Sequence, residues 1–265
     1  MKKIRSCVKW NGGKYSELDV IVENLPDEFS TYIEPFVGGG ALFWTLKHNN
    51  VCSEYIINDL NEHLINFYIS LRDNGKDLQK LCKEHLNTKE YFLDIRNSLN
   101  YNKPDNVEMA SKFYAFNKMS YSGKWQVNKE GILTTGYANY PNSRWRTWTL
   151  IEDMYINLIK DVKIYNKDYK DLLNKYMNNE DAFIFLDPPY SNLSYMYVDD
   201  VNFPQMYKDI LWYLEHSKSQ IMMIIGDGDG EREFFKDFIS DEYNHNYDFY
   251  GKSKKVRKHL LVKNY

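Results

Sequence analysis

Thr31-Tyr32-Ile33-Glu34-Pro35-Phe36-Val37-Gly38-Gly39-Gly40 decides how the rest of the chain is read: an apolar and aromatic run, then a proline, then three consecutive glycines. A helical pattern follows through Ala41, Leu42, Trp44 and Leu46, and a second strand pattern, Glu54-Tyr55-Ile56-Ile57-Asn58, ends at Asp59. Strand, glycine turn, helix and strand make one βαβ unit, whose crossover is expected to be right-handed. Open α/β sheets bind ligands at the carboxyl ends of their strands, which places the Pro35 to Gly40 turn and Asp59 at a candidate site. Glycines let a ligand approach the backbone, and Asp59 follows Gly38 by about the 20 residues that separate a phosphate turn from a ribose-binding acid. A dinucleotide fingerprint needs a further glycine where this chain has Phe43, so NAD is disfavoured. The same glycines also fit a tight strand-to-helix turn without a ligand.

A second motif lies far downstream. Asp187-Pro188-Pro189-Tyr190 follows the apolar run Ala182-Phe183-Ile184-Phe185-Leu186, which puts a carboxylate, a stiff turn and an aromatic ring at the end of a buried strand. Two prolines supply no N–H, so the carbonyls of Asp187 and Pro188 are left to accept from a ligand, the carboxylate can accept another hydrogen, and Tyr190 can stack. This is a layout for gripping a flat base. The competing reading is a strand that ends in a proline turn with a solvated Asp.

Between these motifs the segment from Asn61 to about Asn117 has helical spacing, with Leu64, Ile65, Tyr68 and Leu71 on one stripe and Met109, Phe113, Tyr114 and Phe116 on another. From Lys118 to Tyr140 the helical pattern stops and Gly123, Gly131 and Gly136 punctuate short polar and aromatic runs, read as a hairpin with loops. After Asn142 a helix is expected through Trp148, Ile151, Met154 and Leu158. Strand Val162–Tyr165, helix Lys170–Met177, the Asp187 strand, helix Pro204–His216, strand Gln220–Ile225, helix Glu231–Ile239 and two closing strands near Tyr247 and Leu260 complete the alternation. The fold class is therefore α/β: a Rossmann-like, mostly parallel sheet with an antiparallel terminal edge. Residues 61–142 form a smaller helical and hairpin lobe, and residues 1–60 with 143–265 form the sheet domain.

Composition narrows the function. The 265 residues are 43% hydrophobic, which excludes a disordered chain, and the net charge of −3 means that nucleic-acid binding needs a local basic face. One candidate is Lys252 to His259, with five cations, which equally suits a solvated hairpin. Aromatic residues reach 16%, with 23 Tyr, compatible with base stacking, although Tyr, Asn and Lys together also track a biased coding composition. Cys7, Cys52 and Cys82 show no metal-ligand spacing, so a reducing compartment and no metal are expected. The start, Met1 to Ser6, lacks the apolar segment of a signal peptide, and no run approaches the roughly 18 apolar residues of a membrane span. A cytoplasmic location without membrane association is the expectation.

Taken in order, Lys9-Trp10-Asn11-Gly12-Gly13-Lys14, Glu34 to Gly40, Asn58-Asp59 and Asp187-Pro188-Pro189-Tyr190 resemble the Dam-type DNA adenine methyltransferases over nearly the whole chain. The resemblance implies the S-adenosylmethionine-dependent methyltransferase fold, with S-adenosylmethionine held by Trp10, Lys14, Glu34, Phe36, Gly38 and Gly40. Asp59 is implied as the ribose ligand and Asp168-Tyr169 as the contact to the cofactor's adenine, where a solvated helix cap is the alternative. It implies a catalytic Asp187-Pro188-Pro189-Tyr190 that draws the exocyclic amine of a flipped base toward the methyl group. The 118–140 hairpin of the target-recognition lobe then reads double-stranded DNA, with Lys9, Asn117, Lys118, Tyr121, Lys124, Gln126 and Asn128 on the DNA side and Lys254, Lys255 and Arg257 on phosphates.

Gln126 stands where GATC-specific members carry an arginine suited to guanine, and its amide pairs better with adenine, so the short site's likeness to GATC is left open. Lys124 and Gly136 replace an apolar wedge and a proline of the same loop, and Gly226-Asp227 replaces a polar pair. Adenine-N6 methylation is the leading expectation. Cytosine-N4 methylation, or a DNA-binding protein of this fold that has lost catalysis, are the alternatives. Oligomeric state is not legible in the sequence.

Overall fold

A computed structural model describes residues 1–141, 145, 150–190, 202–247 and 255–265. After a 3-10 turn at Lys14–Glu17, the elements run α1 (Leu18–Glu23), β1 (Thr31–Glu34), α2 (Ala41–His48), β2 (Glu54–Asn58), α3 (Glu62–Asp73), α4 (Gly75–Cys82), α5 (Lys89–Tyr101) and α6 (Val107–Met119). They continue with α7 (Asp153–Leu158), β3 (Lys163–Tyr165), α8 (Tyr169–Tyr176), β4 (Ala182–Leu186), α9 (Phe203–His216), β5 (Gln220–Gly226), α10 (Asp229–Phe235), β6 (Ile239–Tyr247) and β7 (Lys255–Lys263).

The strands form one sheet in the order β3-β2-β1-β4-β5-β7-β6. The five from β3 to β5 are parallel, whereas β7 is antiparallel to both β5 and β6. The antiparallel strand is thus inserted second from the edge, and β6 closes the sheet. Period-2 alternation distributes side chains to two cores. Tyr32, Phe183, Phe185, Met222 and Ile224 point to one, against α2 and the helical segment, and Ile33, Ile184, Leu186, Met223 and Ile225 point to the other, against α8 and α9.

The single helical stretch expected over Asn61 to Asn117 divides into four helices, and capping side chains open three of them, α3, α5 and α6. Asn61, Thr88 and Asn106 accept from the N–H groups of Leu64, Tyr91 and Met109. Two other boundaries differ from the sequence reading. The helix begun near Glu231 ends at Phe235, so Ile239 already belongs to β6. Trp148 of the expected post-Asn142 helix lies outside the described residues, and the helix there is α7. Antiparallel bridges Ser120↔Tyr137 and Val127↔Leu133 hold the segment after α6 as a hairpin-like loop.

Three parallel strand ends converge on one edge of the sheet, and Asn58 ties them. Its amide donates 2.9 Å bonds to the carbonyls of Pro35 and Lys167, and its Oδ1 accepts from the Lys167 N–H. The turn after β1 and the loop after β3 are thereby fixed on either side of Asp59. No helix among the described residues is long and apolar enough to cross a membrane.

Candidate active site at the strand ends

A cavity of about 680 Å³ opens at this edge, within the size range of ligand sites. Its wall includes the glycine turn Gly38–Gly40, Asp59 and the whole Asp187–Tyr190 corner, so the two motifs that the sequence sets far apart face one space. Trp10, Lys14, Glu34, Phe36, Asp168 and Tyr169 line it as well, and Lys124 and Gln126 close it from the hairpin side.

The glycine wall has little room for a side chain. Gly38 has φ of +46°, and a Cβ there would lie 2.5 Å from Cδ1 of Trp10. Its N–H donates to Asp59 Oδ2 at 2.9 Å and its carbonyl accepts from the buried Tyr68 hydroxyl at 2.8 Å. Asp59 also accepts from the Asn61 N–H at 2.9 Å, which orients the carboxylate at the cavity wall. Burial pushes its carboxyl up despite these bonds. Glu34 is buried and accepts from Tyr32 at 2.8 Å, and burial pushes its carboxyl well above the usual carboxylate range. Phe36 and Tyr169 pack with centroids 5.2 Å apart, an aromatic pair on the cavity wall. Asp168 caps α8 by accepting from Lys170, while also lining the cavity.

At the proline corner, Asp187 Oδ1 receives the Lys14 ammonium at 2.7 Å and the Tyr190 hydroxyl at 3.3 Å. Among the described residues no hydrogen bond or ion pair reaches Oδ2 or the Pro188 carbonyl, and both residues line the cavity. Burial pushes the Asp187 carboxyl up against the pull of Lys14. Lys14, itself buried, stays charged: burial opposes its charge, and the Asp187 and Glu17 carboxylates overcome it. Lys14, expected from the motif at the cofactor, lines the cavity and is bonded to Asp187 at the proline corner. Tyr190 is only 6% exposed, with the Lys14 ammonium 5.2 Å from its ring centre.

On the hairpin side, three residues expected to meet DNA are engaged within the protein. Asn117 holds the Lys9 N–H and carbonyl through its amide, at 2.9 and 2.6 Å, and donates to the Gly123 carbonyl. Asn128 accepts from Glu130 and Ile132 and so shapes its own turn. Lys118 is a correction. It is 8% exposed and donates at 2.6 Å to the Cys7 carbonyl, because α6 turns this position toward the core, away from any phosphate. Lys9 lies over the Tyr140 ring, Tyr121 is 50% exposed, and Gln126 is exposed with its N–H donated to Thr135 Oγ1. Lys254 lies outside the described residues, while Lys255 opens β7 and Arg257 lies within it. Asp227, where the motif departs, binds Arg232 through both oxygens and does not line the cavity.

Burial of Lys118 gives a measurable signature. Desolvation pulls its ammonium down to about 8, whereas the neighbouring Cys7 and Cys82 thiols are pushed up to about 12. An unfolded lysine keeps its proton to about pH 10.4, so the unfolded chain binds more protons than the folded one above pH 8, and stability rises there. Unfolding of the thiols, which titrate near 8.5 when exposed, works in the opposite sense at higher pH. Comparing the parent with Lys118→Met isolates the lysine: the parent's denaturation midpoint should gain on the variant's between pH 7 and 9. A constant difference would place Lys118 in solvent.

Sequence reading missed Glu17, Tyr68, Tyr243 and His259, which have no motif. Only their convergence in three dimensions marks them. Comparison with known proteins adds a consistent picture. A family model described as D12 class N6 adenine-specific DNA methyltransferase matches residues 10–251. The type II methyltransferase M.CviBI of Paramecium bursaria Chlorella virus NC1A is 30% identical, covering 99% of this chain and 100% of that protein. The type II methyltransferase M.MjaIII of Methanocaldococcus jannaschii is 33% identical, covering 72% of this chain and 71% of that protein. A DNA adenine methylase of Vibrio cholerae is 30% identical, covering 73% of this chain and 68% of that protein.

Proposed function

The chain belongs to the D12 class N6 adenine-specific DNA methyltransferases, and from that premise we propose that Asp187 and the Pro188 carbonyl activate the adenine amine inside the shared cavity. It methylates adenine in DNA, with S-adenosylmethionine as the family's methyl donor. The observation that supports the residue assignment is the common cavity, lined both by the glycine turn and by the Asp187–Tyr190 corner.

The residues present fit that donor. Phe36 and Tyr169 offer an apolar slot for a purine, Asp59 an acceptor for ribose hydroxyls, and Gly38 with Gly40 a backbone surface free of Cβ atoms. Trp10 and Asp168 complete the proposed holding set. When bound, the donor supplies a methyl group on a positively charged sulfur, an electrophile that needs no further activation.

The amine does need activation, because its lone pair is delocalised into the ring. Asp187 Oδ2 accepts one amino hydrogen and the Pro188 carbonyl the other, which draws the nitrogen toward a tetrahedral shape and frees its lone pair. The proton lost afterwards goes first to Asp187, whose raised affinity for a proton suits it as the acceptor. Tyr190 holds Oδ1 from the far side and presents its ring to the base. An adenine inside a duplex cannot reach these groups, so the reading includes extrusion of the target base, at a cost of a few kcal/mol.

Double-stranded DNA is proposed to lie across the hairpin, with Tyr121 entering the stack, Lys9 and Lys124 contacting it and Gln126 reading a base edge. Asn117 and Asn128 build the loop, and the Lys254 to Arg257 segment approaches phosphates. Methylation-sensitive sequencing of DNA from cells that express the chain gives the site. Gln126→Ala should relax one position of it by about 1–3 kcal/mol, while Lys124→Ala should lower the salt slope of binding by about one. Unchanged preference at every position in Gln126→Ala would remove that residue from recognition.

A further inference from the structure

Behind the proline corner lies a buried group of charges that the reaction scheme does not use. Glu17, in the turn before α1, is 4% exposed, and His259, on β7, is 1% exposed. His259 Nδ1 and the Tyr243 hydroxyl each lie 2.6 Å from Glu17 Oε2, and His245 Nδ1 stands 3.7 Å from Oε1. An ionised carboxylate only accepts, so the tautomer of His259 in this pair carries its hydrogen on Nδ1. Although burial works against the charge of Glu17, Lys14 and the two donors hold its carboxyl down at about 2. The Tyr190 and His259 rings meet edge to face at 5.6 Å, so the group abuts the catalytic corner directly.

Lys14 connects this group to the chemistry. Its ammonium donates to Asp187 Oδ1 and to the Gly12 carbonyl, both at 2.7 Å, and it feels Glu17 as a second negative charge. A lysine has a long, flexible stem, and a buried ammonium with one carboxylate can settle in several geometries. Glu17 is buried at i+3 from Lys14 in the same 3-10 turn, on the same face, and a second carboxylate there narrows the choice.

We propose that Glu17 is a positioning residue for methyl transfer: clamped by His259 and Tyr243, it holds the Lys14 ammonium where that cation keeps Asp187 Oδ1 occupied and aims Oδ2 at the amine. This rests on the reading of Asp187 as the catalytic carboxylate. The function of the clamp is orientation, since Glu17 touches neither donor nor base.

The test is a single-turnover methyl-transfer assay on the intact protein, run beside binding measurements for S-adenosylmethionine and DNA. Glu17→Gln keeps shape and removes charge, and should slow transfer by about tenfold to a hundredfold, as supporting partners of active-site groups commonly do, with both affinities within about threefold of the parent. His259→Asn restores an N–H near Nδ1 and should stay close to the parent rate, whereas His259→Leu should fall with Glu17→Gln. If Glu17→Gln does not fold, Tyr243→Phe removes one donor and leaves the ring, and a several-fold loss of rate is expected from it. A parent-like rate in whichever of Glu17→Gln or Tyr243→Phe folds overturns the proposal, as does His259→Asn falling as far as His259→Leu. Asp187→Ala in the same assay separates the two readings: if it alone loses the rate, only the clamp is wrong, and if it keeps the rate, both are.

Discussion

Asp187→Ala is expected to slow methyl transfer by roughly 10²–10⁴-fold while leaving the affinity for S-adenosylmethionine within a few-fold of the parent. The substitution removes the Oδ2 acceptor proposed to draw the amine out of conjugation, and no other carboxylate lies in the described corner. The Pro188 carbonyl remains but reaches only one hydrogen. Cofactor contacts are proposed on the opposite wall, at Gly38, Asp59 and Phe36, so binding and chemistry should separate. The variant also strips the buried Lys14 ammonium of its 2.7 Å partner, a destabilising change of several kcal/mol in comparable buried pairs. Asp187→Asn keeps the volume and an acceptor oxygen, and a melting curve run beside the assay distinguishes lost chemistry from lost fold. A folded Asp187→Ala protein that methylates at the parent rate would reject the role.

Gly38→Ala should weaken S-adenosylmethionine binding by roughly a hundredfold, a loss of about 2.7 kcal/mol at 1.36 kcal/mol per tenfold. Two effects combine there. A side chain at φ of +46° is strained by about 1–2 kcal/mol, and the new methyl would stand 2.5 Å from Cδ1 and 2.8 Å from Nε1 of Trp10, so the indole must leave the wall it forms. Asp59 and Tyr68 both bond to the backbone of this residue, so the shift is passed to the Asp59 carboxylate, the proposed ribose ligand. Titration calorimetry reads the affinity directly. Parent-like binding would mean that the cofactor does not lie against this turn.

Much of this arrangement is legible in the sequence because its signals are local. The β1 turn, Asp59 and the proline corner each sit at the end of a strand whose apolar run is unbroken, and the rule that ligands gather at strand ends brings them together. The Gly38 and Asp187 walls face one cavity, as that rule expects. What escapes the sequence depends on pairing at a distance. Lys118 ends a helix among polar neighbours and reads as surface charge, yet the packing of α6 against the Cys7 segment turns it inward. Glu17 reads as an ordinary acid of a helix start, and its partner His259 lies in a run of cations that suggests solvent. The position of β7 is likewise set by long-range register, since its nine residues would fit the outer edge as well as the gap between β5 and β6.

That inserted strand has a bearing on what a shortened chain would lose. Its residue 259 pairs beside Gly226 and reaches back across the sheet to a side chain from the first turn of the protein, 242 positions earlier. A chain without residues 255–263 lacks His259, the partner of Glu17, and also Leu260, Leu261 and Val262, which fill both cores and join β5 to β6. Cutting the chain ahead of β7 should therefore lower the melting midpoint together with the transfer rate, because one strand carries both the brace on Glu17 and part of each core.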